Sequence, residues 1–159
     1  MMKYFLRTLK RLSPAPLVHA HCDGPCGVYD PAQARVSAEA VVSMTKKITE
    51  LERPKSDAAE DWANYHNTLS RYISIKEEES ENTKHHLLVL WTDYFKPEHL
   101  EQFPDLHGLF WKAAKAASAC KHEVSSHHAE ELLSFVEQVH KIFWQTKDRE
   151  VEWVLANKK

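Results

Sequence analysis

Glycine, cysteine and long apolar runs are all scarce in this sequence, and each shortage excludes a class of protein. Three glycines among 159 residues, with abundant Ala, Leu, Glu and Lys, favour helix and argue against a fold built from strands. Three cysteines are an odd number, which argues against a disulfide scaffold. No run approaches the roughly 20 consecutive apolar residues of a membrane span. We therefore predict one all-α domain that has no membrane partner.

Acidic residues are missing from the first twenty positions, which carry only basic charge. The whole chain has a formal net charge of −2, and loss of the four cations in residues 1–20 would leave −6. An acidic mature protein is repelled by the phosphates of nucleic acid, so no nucleic-acid partner is predicted.

Residues 1–20 resemble a leader that a peptidase removes. They end in Val-His-Ala, a boundary of small residues directly before His21. Their longest apolar run is Tyr4-Phe5-Leu6, broken by Arg7, whereas a secretory signal needs an apolar core of about 7–15 residues. We predict a cleaved leader over residues 1–20, a mature domain over residues 21–159 and a cytoplasmic location, with secretion as the less favoured alternative.

Apolar spacing and start and stop signals predict four helices. Asp30-Pro31 opens the first, with Asp as N-cap and Pro as first helical residue, and Arg53-Pro54 ends it. A residue of Ser56-Asp57 caps the second, which Pro97 stops, and a break near residues 79–83 is an open alternative. The first three predicted helices span residues 31–52, 58–95 and 104–119. A fourth begins at a cap at Ser125 or Ser126 and runs to a tail at 148–157. The tail is predicted to hold one more helical turn around Val151–Leu155.

Each predicted helix has one apolar face, and short connections join the helices. This pattern predicts an antiparallel up-and-down four-helix bundle. Some of the five tryptophans are expected at contacts between subunits, with partial burial inside one subunit as the alternative. The predicted inward residues are Val41, Met44, Ile48 and Leu51; Trp62, Tyr65, Leu69, Tyr72, Ile73, Leu87, Leu90, Trp91 and Tyr94; Leu106, Leu109, Phe110, Ala113 and Ala117; and Leu132, Val136, Val139 and Phe143.

Residues 21–26, called the hook from here on, hold the donor atoms of a metal site. Once the leader is removed, the α-amine of His21 and the backbone nitrogen of Cys22 can close a five-membered chelate ring. The thiolates of Cys22 and Cys26 complete a square, because Gly24-Pro25 turns the chain, and the His21 imidazole can take an axial position. A tetragonal set of nitrogen and sulfur donors favours nickel or copper over zinc.

The Cys-x3-Cys spacing of the hook is weak support when taken alone. It is equally compatible with a disulfide or with two core thiols. A non-catalytic zinc or redox-thiol module therefore remains open as a second function. A purely structural helical assembly is a third, since the amine at position 21 is an amide while the leader is attached.

Two segments resemble the nickel-containing superoxide dismutases. They are the eleven residues from His21 to Pro31, His-Cys-Asp-Gly-Pro-Cys-Gly-Val-Tyr-Asp-Pro, and the later octet from Leu90 to Pro97, Leu-Trp-Thr-Asp-Tyr-Phe-Lys-Pro. The resemblance extends from His21 to about Thr146. It implies a four-helix-bundle subunit, a homohexamer, a cleaved leader, one nickel ion per subunit and disproportionation of superoxide.

The resemblance also assigns roles to residues. It implies that His21, Cys22 and Cys26 bind nickel and, with Tyr29, form the catalytic centre. It places Asp23, Pro25 and Tyr29 around the ligands, with Pro25 shaping the turn. It places Tyr94 and Lys96 near the approach of the substrate, for which core packing of Tyr94 is the alternative.

Two positions depart from the family pattern. Where some members carry a Glu and an Arg that fix the axial imidazole, this chain has Ser37 and, in a looser alignment, Glu79. A serine hydroxyl orients an imidazole less firmly than a carboxylate paired with Arg. We therefore expect control of the His21 imidazole to differ here.

Other clusters carry less chemistry. The pairs His85-His86 and His127-His128 point to different helix faces and are expected to be surface or interface histidines. Cys120 is expected to be a free thiol, and residues 77–81 are expected to form a solvated acidic face.

Overall fold

The fold of residues 27–157, the part of the chain that the computed structural model describes, is all-helical as predicted. Within that range no segment forms a strand, and no helix is long and apolar enough to cross a membrane. The elements in chain order are α1 (Ala32–Thr49), α2 (Ala59–Val89), a π-helical turn (Leu90–Tyr94), α3 (Pro97–Gln102), α4 (Leu106–His122) and α5 (Ser126–Gln145).

The four long helices pack in a ring, in which α1 and α4 each contact both α2 and α5. Contacts between α2 and α4 show their direction. Lys76, early in the packed part of α2, bonds to the carbonyl of Cys120 near the end of α4, whereas Trp91, just beyond α2, stacks on Phe110 near the start of α4. The predicted antiparallel four-helix bundle is confirmed.

The core is contributed most fully by α4 and α5, whose predicted inward residues are all buried. The prediction for α1 was wrong beyond Val41. Its buried positions are Ala34, Ser37, Ala38, Glu39, Val41 and Thr45, most of them small residues that let α1 approach its neighbours closely. Met44, Ile48 and Leu51 are only half-buried, since they face a part of α2 that lies outside the bundle.

The long helix α2 has two unlike halves. No break occurs near residues 79–83, because the helix is continuous to Val89. Within Ala59–Ile75 no residue is buried, and the predicted inward rings of Trp62, Tyr65 and Tyr72 are half-buried. From Lys76 onward α2 enters the core, with Leu87 fully buried. Its first half therefore extends beyond the ends of α4 and α5.

The predicted ends of the first two helices need small corrections. Regular helix begins at Ala32, one residue late, and ends at Thr49, three residues early. The Thr49 hydroxyl donates to the Lys46 carbonyl (2.9 Å), which competes with continued helix. At the start of α2, Ser56 rather than Asp57 accepts a backbone hydrogen bond, from Ala58 N–H (3.3 Å).

Two short segments were predicted wrongly. The α-helix α2 ends at Val89, before the π-helical turn, and Pro97 opens α3, since proline is suited to a first helical position. The tail around Val151–Leu155 forms no helical turn. There the Val151 carbonyl contacts His140 Nε2 (3.0 Å), and Ala156 N–H donates to the buried carboxylate of Glu39 (2.8 Å). The tail thus ties α5 to α1, and these contacts replace those that a helical turn would make.

Candidate metal centre

The hook itself, which includes the predicted residues His21, Cys22, Asp23, Pro25 and Cys26, lies outside the described residues. The chain enters the described structure at Gly27, which has a φ of 67°. Only glycine adopts this left-handed conformation without strain. A non-glycine residue at position 27 would therefore oppose the turn that joins the hook to the bundle.

Asp30 fixes the point at which the hook leaves α1. Its carboxylate accepts a hydrogen bond from Ala32 N–H (2.8 Å), and Pro31 beside it is buried. The Asp30-Pro31 pair marks the start of α1, but Pro31 rather than Asp30 is the N-cap and Ala32 is the first helical residue. The segment that follows the hook is consequently held to the bundle by both a hydrogen bond and packing.

Tyr29 and Tyr94 come together at this end of the bundle. Their ring centroids are 5.6 Å apart at an interplanar angle of 53°. Tyr29 also lines a small cleft between α1 and the end of α2, together with Asp30, Gln33, His86, Val89 and Leu90. The resemblance placed Tyr29 around the ligands and Tyr94 near the approach of the substrate, and the structure brings the two rings into contact.

A π-helical turn positions Tyr94. Phe95 N–H donates to the carbonyl of Leu90, five residues back (3.0 Å), so the last turn before α3 is wider than an α-helical turn. Such turns are frequent at functional sites. The Tyr94 ring packs against Phe143 (4.5 Å between centroids) and stacks on His99 (5.6 Å, 18°). The core-packing alternative for Tyr94 is therefore supported, and its role near the substrate stays a prediction.

Sequence reasoning missed two residues that contact Tyr94 from the end of α5. The Tyr94 hydroxyl is 2.6 Å from Thr146 Oγ1, and Lys147 Nζ lies 5.1 Å from the centre of the Tyr94 ring. Thr146 and Lys147 are 52 and 53 positions further along the chain than Tyr94. No local pattern marks such a pairing, which follows only from the antiparallel bundle.

Lys96 is exposed and does not contact Tyr94 through its side chain. Its ammonium lies 3.9 Å from Glu98, and its side chain is 66% accessible. Its backbone N–H donates to His99 Nδ1 (3.1 Å), the ring that stacks on Tyr94. An exposed surface cation suits long-range attraction of an anion better than a direct contact with it.

The two departures from the family pattern have different surroundings. Ser37 is buried on α1, whereas Glu79 is half-buried on α2. The Glu79 carboxylate accepts a hydrogen bond from Asn82 on its own helix (3.4 Å). Glu79 thus has a partner of its own within α2, and the partner of the His21 imidazole stays a prediction.

The remaining clusters lie elsewhere. His85 and His127 are exposed, and His128 Nδ1 contacts Glu123 (2.9 Å). Within residues 27–157 no group of three or more His, Cys, Asp and Glu side chains could hold a metal ion. The hook therefore keeps its place as the candidate centre, because its thiolates and nitrogens are donors that suit nickel.

Cys120 and the acidic segment 77–81 belong to the opposite end. Cys120 is a buried free thiol, and burial raises its pKa to about 11. Glu77, Glu78 and Glu81 are exposed as predicted, but Ser80 among them is fully buried. Lys76, just before them, is also buried, and desolvation lowers its pKa.

Comparison with known proteins matches both the hook and the end of the bundle where Tyr29 and Tyr94 meet. The family model of nickel-containing superoxide dismutase matches residues 16–147, which include the hook, Tyr29, Tyr94 and Thr146. The chain belongs to the nickel-containing superoxide dismutase family. The tail that ties α5 to α1 lies beyond the residues that the family model matches.

Similar members of the nickel-containing superoxide dismutase family come from Streptomyces. The nickel superoxide dismutase of Streptomyces seoulensis is 46% identical over 140 residues, 87% of this chain and 98% of that protein. That of Streptomyces coelicolor is 43% identical over 140 residues, with the same coverage. A crystal structure of a nickel-containing superoxide dismutase with nickel ligation of the oxidized state has a TM-score of 0.67 and 43% identity, and covers 81% of this chain and all of that chain.

Proposed function

We propose that this chain disproportionates superoxide to dioxygen and hydrogen peroxide at one nickel ion per subunit, held by His21, Cys22 and Cys26. The observation that supports this most directly is the hook, since its donors suit nickel and it lies within a 16–147 match to the family. Bound nickel supplies a one-electron couple between its divalent and trivalent states. Two superoxide ions and two protons then give one dioxygen and one hydrogen peroxide.

The ligands require cleavage after Ala20, which we propose a leader peptidase performs. While residue 20 is attached, the nitrogen of His21 is an amide and cannot serve as a free amine. Cleavage leaves an amine whose unperturbed pKa is about 8, so a metal displaces one weakly held proton. Residues 1–20 are therefore proposed as leader and residues 21–159 as the mature domain.

Protons must reach the product, because a peroxide dianion is a poor leaving group. The proposed donors are a Cys thiol, the His21 imidazole, or water ordered by Tyr29. The contact of Tyr29 with Tyr94 holds the Tyr29 ring at this end of the bundle, which supports the proposal that Tyr29 orders water there. Asp23 and Pro25 are proposed to shape the hook around the ligands.

Assembly into a homohexamer in the cytoplasm completes the proposal. Trp111 is 60% exposed, and a groove beside it is lined by Phe135 and Ala116. Exposed apolar surface of this kind is consistent with contacts between subunits. The mass of the purified protein in solution tests the assembly, and a monomer would refute it.

The test of the function compares two forms of one protein. The form that begins at His21 is made by cutting a removable fusion partner, and the form that begins at Met1 keeps the leader. After exposure to nickel, we expect one nickel per chain and superoxide consumption only in the His21 form. A Cys26→Ser variant of the His21 form is the matched control. Zinc retention without activity would favour the alternative zinc or redox-thiol module, and full activity of the Met1 form would refute the proposal.

A further inference from the structure

The hydroxyl of Tyr94 has a fixed partner at the end of α5. Tyr94 Oη and Thr146 Oγ1 are 2.6 Å apart, and Thr146 Oγ1 is 2.7 Å from the carbonyl oxygen of Phe143. The three groups form one chain of hydrogen bonds. Its last member is a carbonyl, which can only accept.

The direction of the bonds follows from counting protons. A threonine hydroxyl has a single proton, and here it is donated to the Phe143 carbonyl. The contact between Thr146 and Tyr94 therefore needs the proton of Tyr94. The phenol donates, and the Thr146 hydroxyl accepts.

We infer that Thr146 is a positioning residue that commits the phenolic proton of Tyr94 and leaves the Tyr94 oxygen as a hydrogen-bond acceptor toward the site. An acceptor meets water or neutral hydrogen peroxide favourably but offers no proton to an anion. Tyr94 would then order protonated species and take no part in delivering protons. This inference rests on the proposed function for the role of Tyr94, but the bond direction is independent of nickel.

The end of α5 is built to hold this arrangement. Thr146 follows the last residue of the helix in helical conformation, with φ of −67° and ψ of −11°. Asp148, with a φ of 52°, closes the turn, and Arg149 N–H donates to the Trp144 carbonyl (3.0 Å). Lys147 Nζ lies 5.1 Å from the ring centre of Tyr94 and 5.2 Å from that of Phe143, which adds a cation–π contact to the same rings.

The experiment separates Thr146→Val, which removes the hydroxyl at nearly constant shape, from Thr146→Ser, which keeps it. In nickel-loaded protein that begins at His21, we expect Thr146→Val to lower kcat/KM about fivefold, as the loss of one hydrogen bond implies. Thr146→Ser should stay within about twofold of the parent. In a Tyr94→Phe background, Thr146→Val should cause no further loss. Nickel content is measured for every variant.

A second readout needs neither nickel nor activity. In nickel-free protein labelled with carbon-13 tyrosine, the Cζ resonance of Tyr94, assigned with Tyr94→Phe, should move in Thr146→Val and stay in place in Thr146→Ser. An unmoved resonance in Thr146→Val, or an equal loss of activity with and without the Tyr94 hydroxyl, would overturn the inference. An inactive parent enzyme with the expected shifts would instead count against the proposed function alone.

Discussion

The two ends of the bundle hold their positions by different means. At the hook end, Tyr94 is fixed by aromatic rings and by the hydroxyl of Thr146. At the far end, the buried ammonium of Lys76 donates to the carbonyl of Cys120, near the end of α4, and to that of Glu123, directly after it (2.9 Å). Tyr94 is therefore held by ring contacts and one hydroxyl, with the half-buried Lys147 ammonium over its ring, whereas at the far end a fully buried ammonium bonds the backbone at the end of α4.

This contrast separates chemistry from stability. The last carbonyls of a helix lack hydrogen-bond partners within it, and a cation near them also interacts favourably with the helix dipole. Lys76 supplies the hydrogen-bond donor and the positive charge from the middle of α2, where that helix enters the core. Substitutions at the far end should therefore lower the free energy of unfolding. Substitutions in the hook should remove activity while the protein stays folded.

Loss of a hook thiolate is the change with the largest expected effect. Cys26→Ser should abolish nickel binding and lower activity by more than about 100-fold, the upper range for losing an outer partner of a metal site. Its unfolding free energy without nickel should match that of nickel-free parent within about 0.5 kcal/mol, because the core lies in the bundle. Urea titrations and metal analysis check both expectations. Unfolding of Cys26→Ser at a much lower urea concentration would show that the hook also stabilises the bundle.

Removal of the buried ammonium should do the reverse. Lys76→Ala leaves the carbonyls at the end of α4 without their donor and opens a cavity, which should cost about 3 kcal/mol of unfolding free energy. The matched control is Lys84→Ala, two turns along α2, where the ammonium donates to the Ser118 hydroxyl (3.3 Å) and not to a carbonyl at the end of α4 in any contact described above. That variant should cost less than about 1 kcal/mol, and equal costs would refute the special place of Lys76.

Lys76 also shows where prediction from sequence stopped. The segment from Lys76 to Glu81 is uniformly polar, and its glutamates predicted a solvated face, which is correct for Glu77, Glu78 and Glu81. Nothing local indicates that Lys76 and Ser80 face the core, because their partners are the carbonyls of α4 and the backbone of α2 itself. Non-local capping of a helix by a lysine has no sequence pattern of its own.

The start of α1 was predicted better, because its signal is local. Asp30-Pro31 marks that start, whereas the donor set of the hook stays a prediction. Heptad-like spacing also predicted the buried faces of α4 and α5. Thr146 and the small-residue face of α1 escaped, because the first depends on the register of two distant helices and the second carries little hydrophobic contrast.

The buried thiol beside Lys76 predicts a pH dependence confined to the far end. Burial raises the pKa of Cys120 from 9.0 to about 11. The thiol therefore ionises first in the unfolded chain, and its contribution to stability, complete below pH 9, is lost as the pH rises toward 11. A two-unit shift corresponds to a loss on the order of 2–3 kcal/mol.

Cys120→Ala isolates that contribution. The difference in unfolding free energy between nickel-free parent and Cys120→Ala should shrink from pH 8.5 to about pH 11, by the amount that the shift implies. Lys76 and the hook thiols are present in both proteins, so their titration cancels to a first approximation in the difference. Activity of the nickel-loaded variant at neutral pH should be unchanged. A difference that stays constant with pH would show that the thiol is not desolvated.

The smallest expected effect tests whether the hook end attracts superoxide through Lys96. Residues 21–159 carry a net charge of −6, so an anion needs a local positive field to approach quickly. Lys96→Glu should lower kcat/KM about threefold at low ionic strength and very little at 0.5 M salt, where the screening length is only a few ångströms. Lys46→Glu makes the same charge change on α1, in an exposed side chain paired with Glu50, and should have little effect at either ionic strength. Equal slowing by both variants would mean that net charge governs the approach and that position at the hook end does not matter.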